Sequence, residues 1–420
     1  MSPPANGGVS NREEKREQKD VEKNNEEAER EDQANNGPPD KATFQDRAAH
    51  FTWPWFACTM STGAVAVVIA NTPYKFKGLL TIGKIFFILD IILFLAFTFM
   101  ITARFILVPR KLPASLYHPV EGLFFGAYWV SVSLILNATQ AYGVPNSGPW
   151  LVDALRVLFW LYCILVLLVA IFQYYALFQE ARLNVEQAMP AWIFPIYPLL
   201  VVGTMAAVII PSQPKEQAFP MWVSALMFQG VAWTVALMMY SIYTQRLMSS
   251  MLPPPPTRPG MFVSVGPAGY TSAALFALGS LAPSVMPPNL FSTPSSLPSG
   301  HVVAVLGAVT GTFILLFSFW FFCISSVAVI AGLKRMSFTL NWWAFIFPNA
   351  GLTLAMIQMG KAFQSTGINV VCSVFTVLLI VFWFIVAFGH IKAVWTRQIL
   401  WPGKDEDKDM KGIRWGRQVA

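Results

Sequence analysis

The residues that could bond a solute in this 420-residue chain are hydroxyls and amides set inside apolar stretches: Thr62, Ser131, Asn137, Thr204, Ser272, Asn349 and Thr353. None carries a charge. Such groups offer weak, reversible hydrogen bonds and no acid–base or nucleophilic power, which suits a lining along which something passes. Enzyme chemistry would need paired carboxylates, a histidine cluster or a nucleophile with its base. The chain holds 4 His and 4 Cys, with no CxxC and no Cys/His cluster, so no catalytic residue, metal site or cofactor is expected. Cys58, Cys163, Cys323 and Cys372 all lie in apolar segments and read as four buried thiols. A few ionisable groups stand apart. His118 and Glu121, three apart, share one helix face and could couple a proton to the moving solute, or simply cap and anchor a helix start. Asp90 and Arg156 sit inside apolar stretches, where a charge is a functional candidate by default. The alternative for these two is structural pairing between neighbouring hairpins.

The elements that must position these groups follow from composition. With 55% hydrophobic and 12% charged residues and a mean hydropathy of +0.52, the chain belongs to the membrane class. A helical span needs about 20 mainly apolar residues. Ten stretches qualify: roughly 52–71, 79–107, 119–141, 151–178, 191–211, 219–247, 267–287, 301–331, 340–361 and 368–391. Residues 1–50 hold eight basic and twelve acidic residues and no apolar run, so they read as a disordered cytoplasmic tail without a signal peptide. The ten-span membrane domain is expected over 51–392 and a basic cytoplasmic tail over 393–420. Loops after even-numbered spans carry Arg104, Arg110, Lys111, Arg182, Arg246, Arg258, Lys334 and Arg335, against Lys75, Lys77, Lys215 and Lys361 after odd-numbered ones. That asymmetry puts both termini in the cytosol, and an even span count agrees. The cations are scattered singly at span ends, so nucleic acid is not an expected partner; the lipid bilayer is.

The spans fall into two classes. Odd-numbered spans carry the helix breakers: Gly63; Pro119, Gly122 and Gly126; Pro195, Pro198 and Gly203; Pro267, Gly269 and Gly279; Pro348 and Gly351. Even-numbered spans are cleaner, and they hold the intramembrane charges Lys84, Asp90, Asp153 and Arg156. Breakers are tolerated at membrane depth where protein or a water-filled cavity satisfies the freed backbone groups. The alternation therefore predicts an all-α membrane protein of five helical hairpins. Kinked odd helices would form an inner ring around a central pore, and even helices an outer, lipid-facing ring.

WWAFIFPNAG at 342–351 resembles the ninth-helix signature of the tellurite-resistance/dicarboxylate transporter family, which takes in bacterial tellurite-resistance proteins, plant slow anion channels and fungal malic acid transporters. HPVEGLFFG at 118–126 is similar to that family's third-helix start. FTWPWFACTMSTG at 51–63, TIGKIFFILD at 81–90, RPGMFVSVGPAGYTS at 258–272 and PGKDED at 402–407 resemble the fungal malic acid (C4-dicarboxylate) branch more narrowly. The resemblance implies ten helices, a pore in each protomer, homotrimers, and a plugging phenylalanine that falls on Phe347. Pro348 would bend the helix there and push that ring into the lumen. The implied cargo is malate and related C4-dicarboxylate anions at the plasma membrane, with proton coupling left open. Relatives that export sulfite leave sulfite, chloride or nitrate as the alternative anion. A lysine fixed in the lumen would hold a dicarboxylate too tightly, so the expected lining is hydroxyl and amide dipoles with loosened backbone N–H groups at the kinks.

Overall fold

The computed structural model describes residues 44–180, 185–288, 290 and 297–401. The tail 1–43, Arg182 and the tail 402–420 lie outside the described residues. Residues 44–49, assigned above to a disordered tail, form the short helix Phe44–Ala49. Among the described residues, ten helical spans are long and apolar enough to cross a membrane, and they run in order Trp53–Asn71, Leu79–Leu107, Gly122–Asn146, Pro149–Gln179, Pro190–Ser212, Lys215–Ser249, Pro255–Val285, Ser299–Arg335, Leu340–Ala362 and Thr366–Trp395. This is a multi-pass, all-helical membrane protein.

The two classes read from the sequence differ in backbone and in burial. Every odd-numbered span opens with a tight 3-10 stretch before α-helix begins: Trp53–Trp55, Gly122–Phe124, Pro190–Ile196, Pro255–Ser264 and Leu340–Phe345. Proline in a first turn lacks only an N–H that would be unpaired anyway, so Pro54, Pro190 and Pro255 start these stretches without loss. Even-numbered spans are continuous α-helix over almost their whole length. Between 67% and 94% of the apolar window of each odd span is buried, against 17% to 33% of each even span.

Three expectations need correction. The seventh span begins at Pro255, not near Pro267, because PPTRPGMFVS reads as a loop yet forms a 3-10 stretch buried over its second half. Cys323 is exposed on the eighth span, whereas Cys58, Cys163 and Cys372 are buried. Pro348 also plays a different part from a mid-helix kink. It sits in the first turn of the α-helix Phe347–Ala362, and the junction is Ile346, with φ −107° and ψ −69°.

Contacts among the odd spans close a cycle: first to third, third to fifth, fifth to seventh, seventh to ninth, and ninth back to first. Each even span packs on the odd span that precedes it. Side chains from neighbouring spans donate to backbone carbonyls at or near these junctions. Gln173 bonds Gly122, Tyr174 bonds Trp192 and Tyr162 bonds Pro198. Tyr197 bonds Val263, Tyr240 bonds Ser264 and Ser318 bonds Val265. Ser61 bonds Trp343, and Tyr270 bonds Phe347.

In a bilayer, helices associate through close packing rather than expulsion of water, and small residues let backbones meet. Gly269 is one test of this. A Cβ there would lie 2.6 Å from the Leu352 nitrogen and 2.7 Å from the Gly351 carbonyl carbon, both backbone atoms of the ninth span. Gly230, on the sixth span, has nothing within 4 Å of its Cβ position. Gly269→Ala should lower stability by about 1–3 kcal/mol or abolish folding, while Gly230→Ala should be neutral or stabilise by up to about 1 kcal/mol. Thermal melts of the detergent-purified variants check the contrast.

Candidate functional site

The five odd spans share one cavity of about 270 Å³, and no even span contributes to its described lining. Each span presents residues at helical spacing: Val67 and Asn71; Asn137; Thr204 and Val208; Ala273, Ala277 and Leu281; Leu354, Gln358 and Lys361. The polar groups are amides and hydroxyls, with Lys361 as the one ionisable residue among the described lining. Lys361 lies in the last turn of its helix, where a cation also complements the helix dipole. Lys75 stands at the same end, its ammonium on the Ala70 carbonyl at 2.7 Å.

The ninth span's register leads from this cavity to Phe347. Residues 347, 354, 358 and 361 fall on one face of an α-helix, so Phe347 sits about 10 Å deeper than Leu354 on the cavity side. Its ring is fully buried. It stacks on Tyr270 of the seventh span at 5.0 Å and 25°, and meets Tyr197 of the fifth span at 5.5 Å. Tyr270 and Tyr197 stand at the same position relative to Ala277 and Thr204 as Phe347 does to Leu354. Three aromatic rings from three odd spans thus meet about two helical turns from the cavity residues along the same faces.

Of the seven polar residues singled out from sequence, Asn137 and Thr204 line the cavity. Thr62 accepts from the Trp383 indole of the tenth span at 3.0 Å, and Ser272 donates to Gly311 of the eighth at 2.7 Å. Ser131 bonds Thr59 at 2.7 Å between the first and third spans. Thr353 donates to the Asn349 carbonyl one turn back, and Asn349 borders a separate apolar cavity against the eighth and tenth spans. Asn71, Gln358 and Lys361 were not singled out. Their i, i+4, i+7 relation to Val67 and Leu354, continued back to Phe347, is the signal that finds them. Lys361 also corrects the expectation of a lining without lysine.

Residues 50–391 match the family described as voltage-dependent anion channel, SLAC1. The chain is 33% identical over 367 residues to the malic acid transport protein of Schizosaccharomyces pombe, covering 87% of this chain and 83% of that one. A putative malic acid transport protein of the same yeast is 32% identical over 367 residues, with 87% and 84% covered. The sulfite efflux pump SSU1 of Arthroderma benhamiae is 30% identical over 335 residues, with 79% and 88% covered. The chain belongs to the SLAC1 anion channel family. Its relatives are transporters and channels, and this SLAC1-family chain is accordingly an anion transporter or channel and not an enzyme.

The ionisable candidates of this SLAC1-family protein sit away from the cavity. His118 Nδ1 accepts from the Val120 and Glu121 amides at 3.3 and 3.1 Å, the geometry of a helix-start cap. Glu121 pairs in two places with Arg104 of the second span, one contact at 3.1 Å, and both side chains are fully buried. The same carboxylate accepts from the Trp53 amide at 3.4 Å, so one group ties the starts of the first and third spans to the second. Arg156 pairs with Asp153 on its own helix at 2.9 Å and does not reach Asp90. Asp90 is fully buried, its oxygens without a hydrogen-bond partner among the described residues, against the backbone of Gly63. Removing one partner of a buried pair leaves an uncompensated charge, at a cost of about 3–5 kcal/mol. Arg104→Met or Glu121→Leu alone should therefore abolish monodisperse protein in size-exclusion chromatography, and the double variant should recover part of it.

Proposed function

We propose that the chain conducts malate and related C4-dicarboxylate anions through a pore between the odd-numbered spans, closed at rest by Phe347. The observation that carries this is the single face of the ninth span that runs from Lys361 at an open mouth to Phe347 at a closed end. The mouth attracts anions through Lys361 and Lys75. Asn71, Asn137, Gln358 and Thr204 then offer neutral donors that hold a carboxylate weakly enough to release it. At and beyond the ring, α-helix begins at Phe56, Phe125, Val265 and Phe347, and these parallel N-termini turn partial positive charge toward the far side of the constriction. The described cavity lining holds no carboxylate or imidazole to carry a proton, which supports a channel-like path over a proton-coupled carrier.

Two S. pombe relatives named as malic acid transport proteins support the dicarboxylate cargo. The sulfite efflux pumps support the same pore with sulfite as the anion, and this is the second reading. We place the protein in the plasma membrane as a homotrimer with both termini cytosolic, on the loop-charge asymmetry and the family resemblance.

The test is uptake of labelled malate into liposomes that hold the purified protein, with sulfite and chloride as competitors and with or without a proton gradient. Saturable malate uptake that ignores the gradient and rises several-fold in Phe347→Ala is expected. Chloride or sulfite flux that rises in Phe347→Ala without malate uptake would keep the gate and overturn the cargo. Unaltered flux of every anion in a folded Phe347→Ala variant would overturn the gate.

A further inference from the structure

A second cavity, of about 730 Å³, lies between the second and tenth spans and shares no residue with the odd-span cavity. It opens sideways onto the apolar face of the tenth span, where Ile391 and Trp395 are 68% and 87% exposed. Its described lining contains no carboxylate, hydroxyl or amide side chain; apart from Cys58, the polar groups that line it are N–H donors. These donors stand at two depths. Arg47 and Arg397 occupy the mouth, both over the Trp401 ring, at 6.0 and 4.7 Å. About two helical turns deeper, Trp55 and His390 stand with ring centroids 4.7 Å apart. Trp55 is 4% exposed, and its indole N–H has no partner among the described residues. His390 is 7% exposed, and its Nδ1 accepts from the Trp343 indole at 3.1 Å. The imidazole proton is then on Nε2, which makes a second N–H donor beside the first. Deeper still, Leu89, Leu93 and Trp383 make an apolar floor.

We propose that this cavity binds an anionic glycerophospholipid from the surrounding bilayer. The phosphate meets Arg47 and Arg397, whose guanidinium groups match its oxygens, and a headgroup that adds only a cation to the phosphate, as choline does, is set against these two like charges. The ester carbonyls, pure acceptors a short way below the phosphate, meet the Trp55 and His390 N–H groups. One acyl chain follows the strip toward Leu89, and the other remains in the bilayer beside Ile391. A free fatty acid has acceptors at one level only and leaves the deeper donors unused. Trp343 lies in this cavity's wall four residues before Phe347, so the bound lipid packs directly against the 3-10 stretch that leads to the gate. The lipid site itself does not rest on which anion crosses.

The test titrates delipidated full-length protein in detergent with phosphatidylserine, phosphatidylcholine or oleate. Native mass spectrometry reads retained lipid, and thermal melts read stabilisation. Phosphatidylserine should bind at least about tenfold more tightly than phosphatidylcholine or oleate, the worth of one charge-assisted contact. The head-group preference should vanish in the Arg47→Gln/Arg397→Gln double variant, and Trp55→Phe should weaken both phospholipids while sparing the weak binding of oleate. Equal retention of phosphatidylcholine overturns the anionic head-group site, and equal retention of oleate overturns the two-level recognition. A preference that survives in the folded double variant moves the site elsewhere. Should the double variant fail to fold, the wild-type ratios and Trp55→Phe decide.

Discussion

A backbone carbonyl at a helix break has no water to turn to inside a bilayer, and the rest of this structure depends on how those carbonyls are bonded. Each group left unpaired would cost several kcal/mol in hydrocarbon. The odd-numbered spans break α-helical bonding near their starts, and carbonyls at these junctions accept hydrogen bonds from hydroxyls and amides reaching in from neighbouring spans. Tyr162, Tyr174 and Gln173 on the fourth span, Tyr240 on the sixth and Ser318 on the eighth are such donors. The more exposed even-numbered helices thus do more than face lipid. They hold the junctions of the odd-numbered spans in shape, and the junctions in turn set which side chains meet around Phe347.

Phe347, the proposed gate, shows what this arrangement can do. Tyr270 stacks on its ring and also donates to its carbonyl at 3.3 Å. The residue that bonds the start of the ninth α-helix is therefore the residue that packs the proposed plug. A net hydrogen bond contributes about 1 kcal/mol and an aromatic pair about 0.5–1.5 kcal/mol. Letting go of both costs about 2 kcal/mol, which corresponds to an open fraction of a few per cent. On that arithmetic the ring can be closed at rest and still be displaced by a modest bias, without a large motion of the rigid even spans.

The ten spans and their two classes were legible because proline, glycine and hydropathy report directly on backbone and solvent. Pro54, Pro195 and Pro348 sit in odd spans, while the fourth span from Leu151 to Gln179 has neither proline nor glycine. What sequence could not supply was the facing of individual residues. A helix that is apolar all round gives no inside or outside, which is why Cys323 read as buried and is exposed. Thr62 and Ser272 lie on odd spans yet bond outward to even ones, because a hydroxyl at membrane depth serves a helix contact as well as a lumen. Arg104 read as a loop cation because its partner Glu121 lies across a turn of the chain that only the fold closes. Lys361 read as a loop residue for the same reason, although its register with Phe347 was already present in the sequence.

That register bears on how one lumen could tell anions apart. Each lysine at the mouth interacts with a dianion twice as strongly as with a monoanion, and at about 4 Å the difference is roughly 1–4 kcal/mol across the range from bulk water to a protein surface. The mouth can therefore rank anions by charge. It cannot rank two dianions, and the neutral amides below it are too weak to bind either deeply. Discrimination between a dicarboxylate and a compact oxyanion would then rest on reach. Two carboxylates separated by a carbon chain can meet Lys361 and a deeper amide such as Asn137 together, whereas a compact anion meets one site at a time. Selectivity of this kind comes from the spacing of weak donors along the face that ends at Phe347, and it leaves each contact weak enough for the anion to move on.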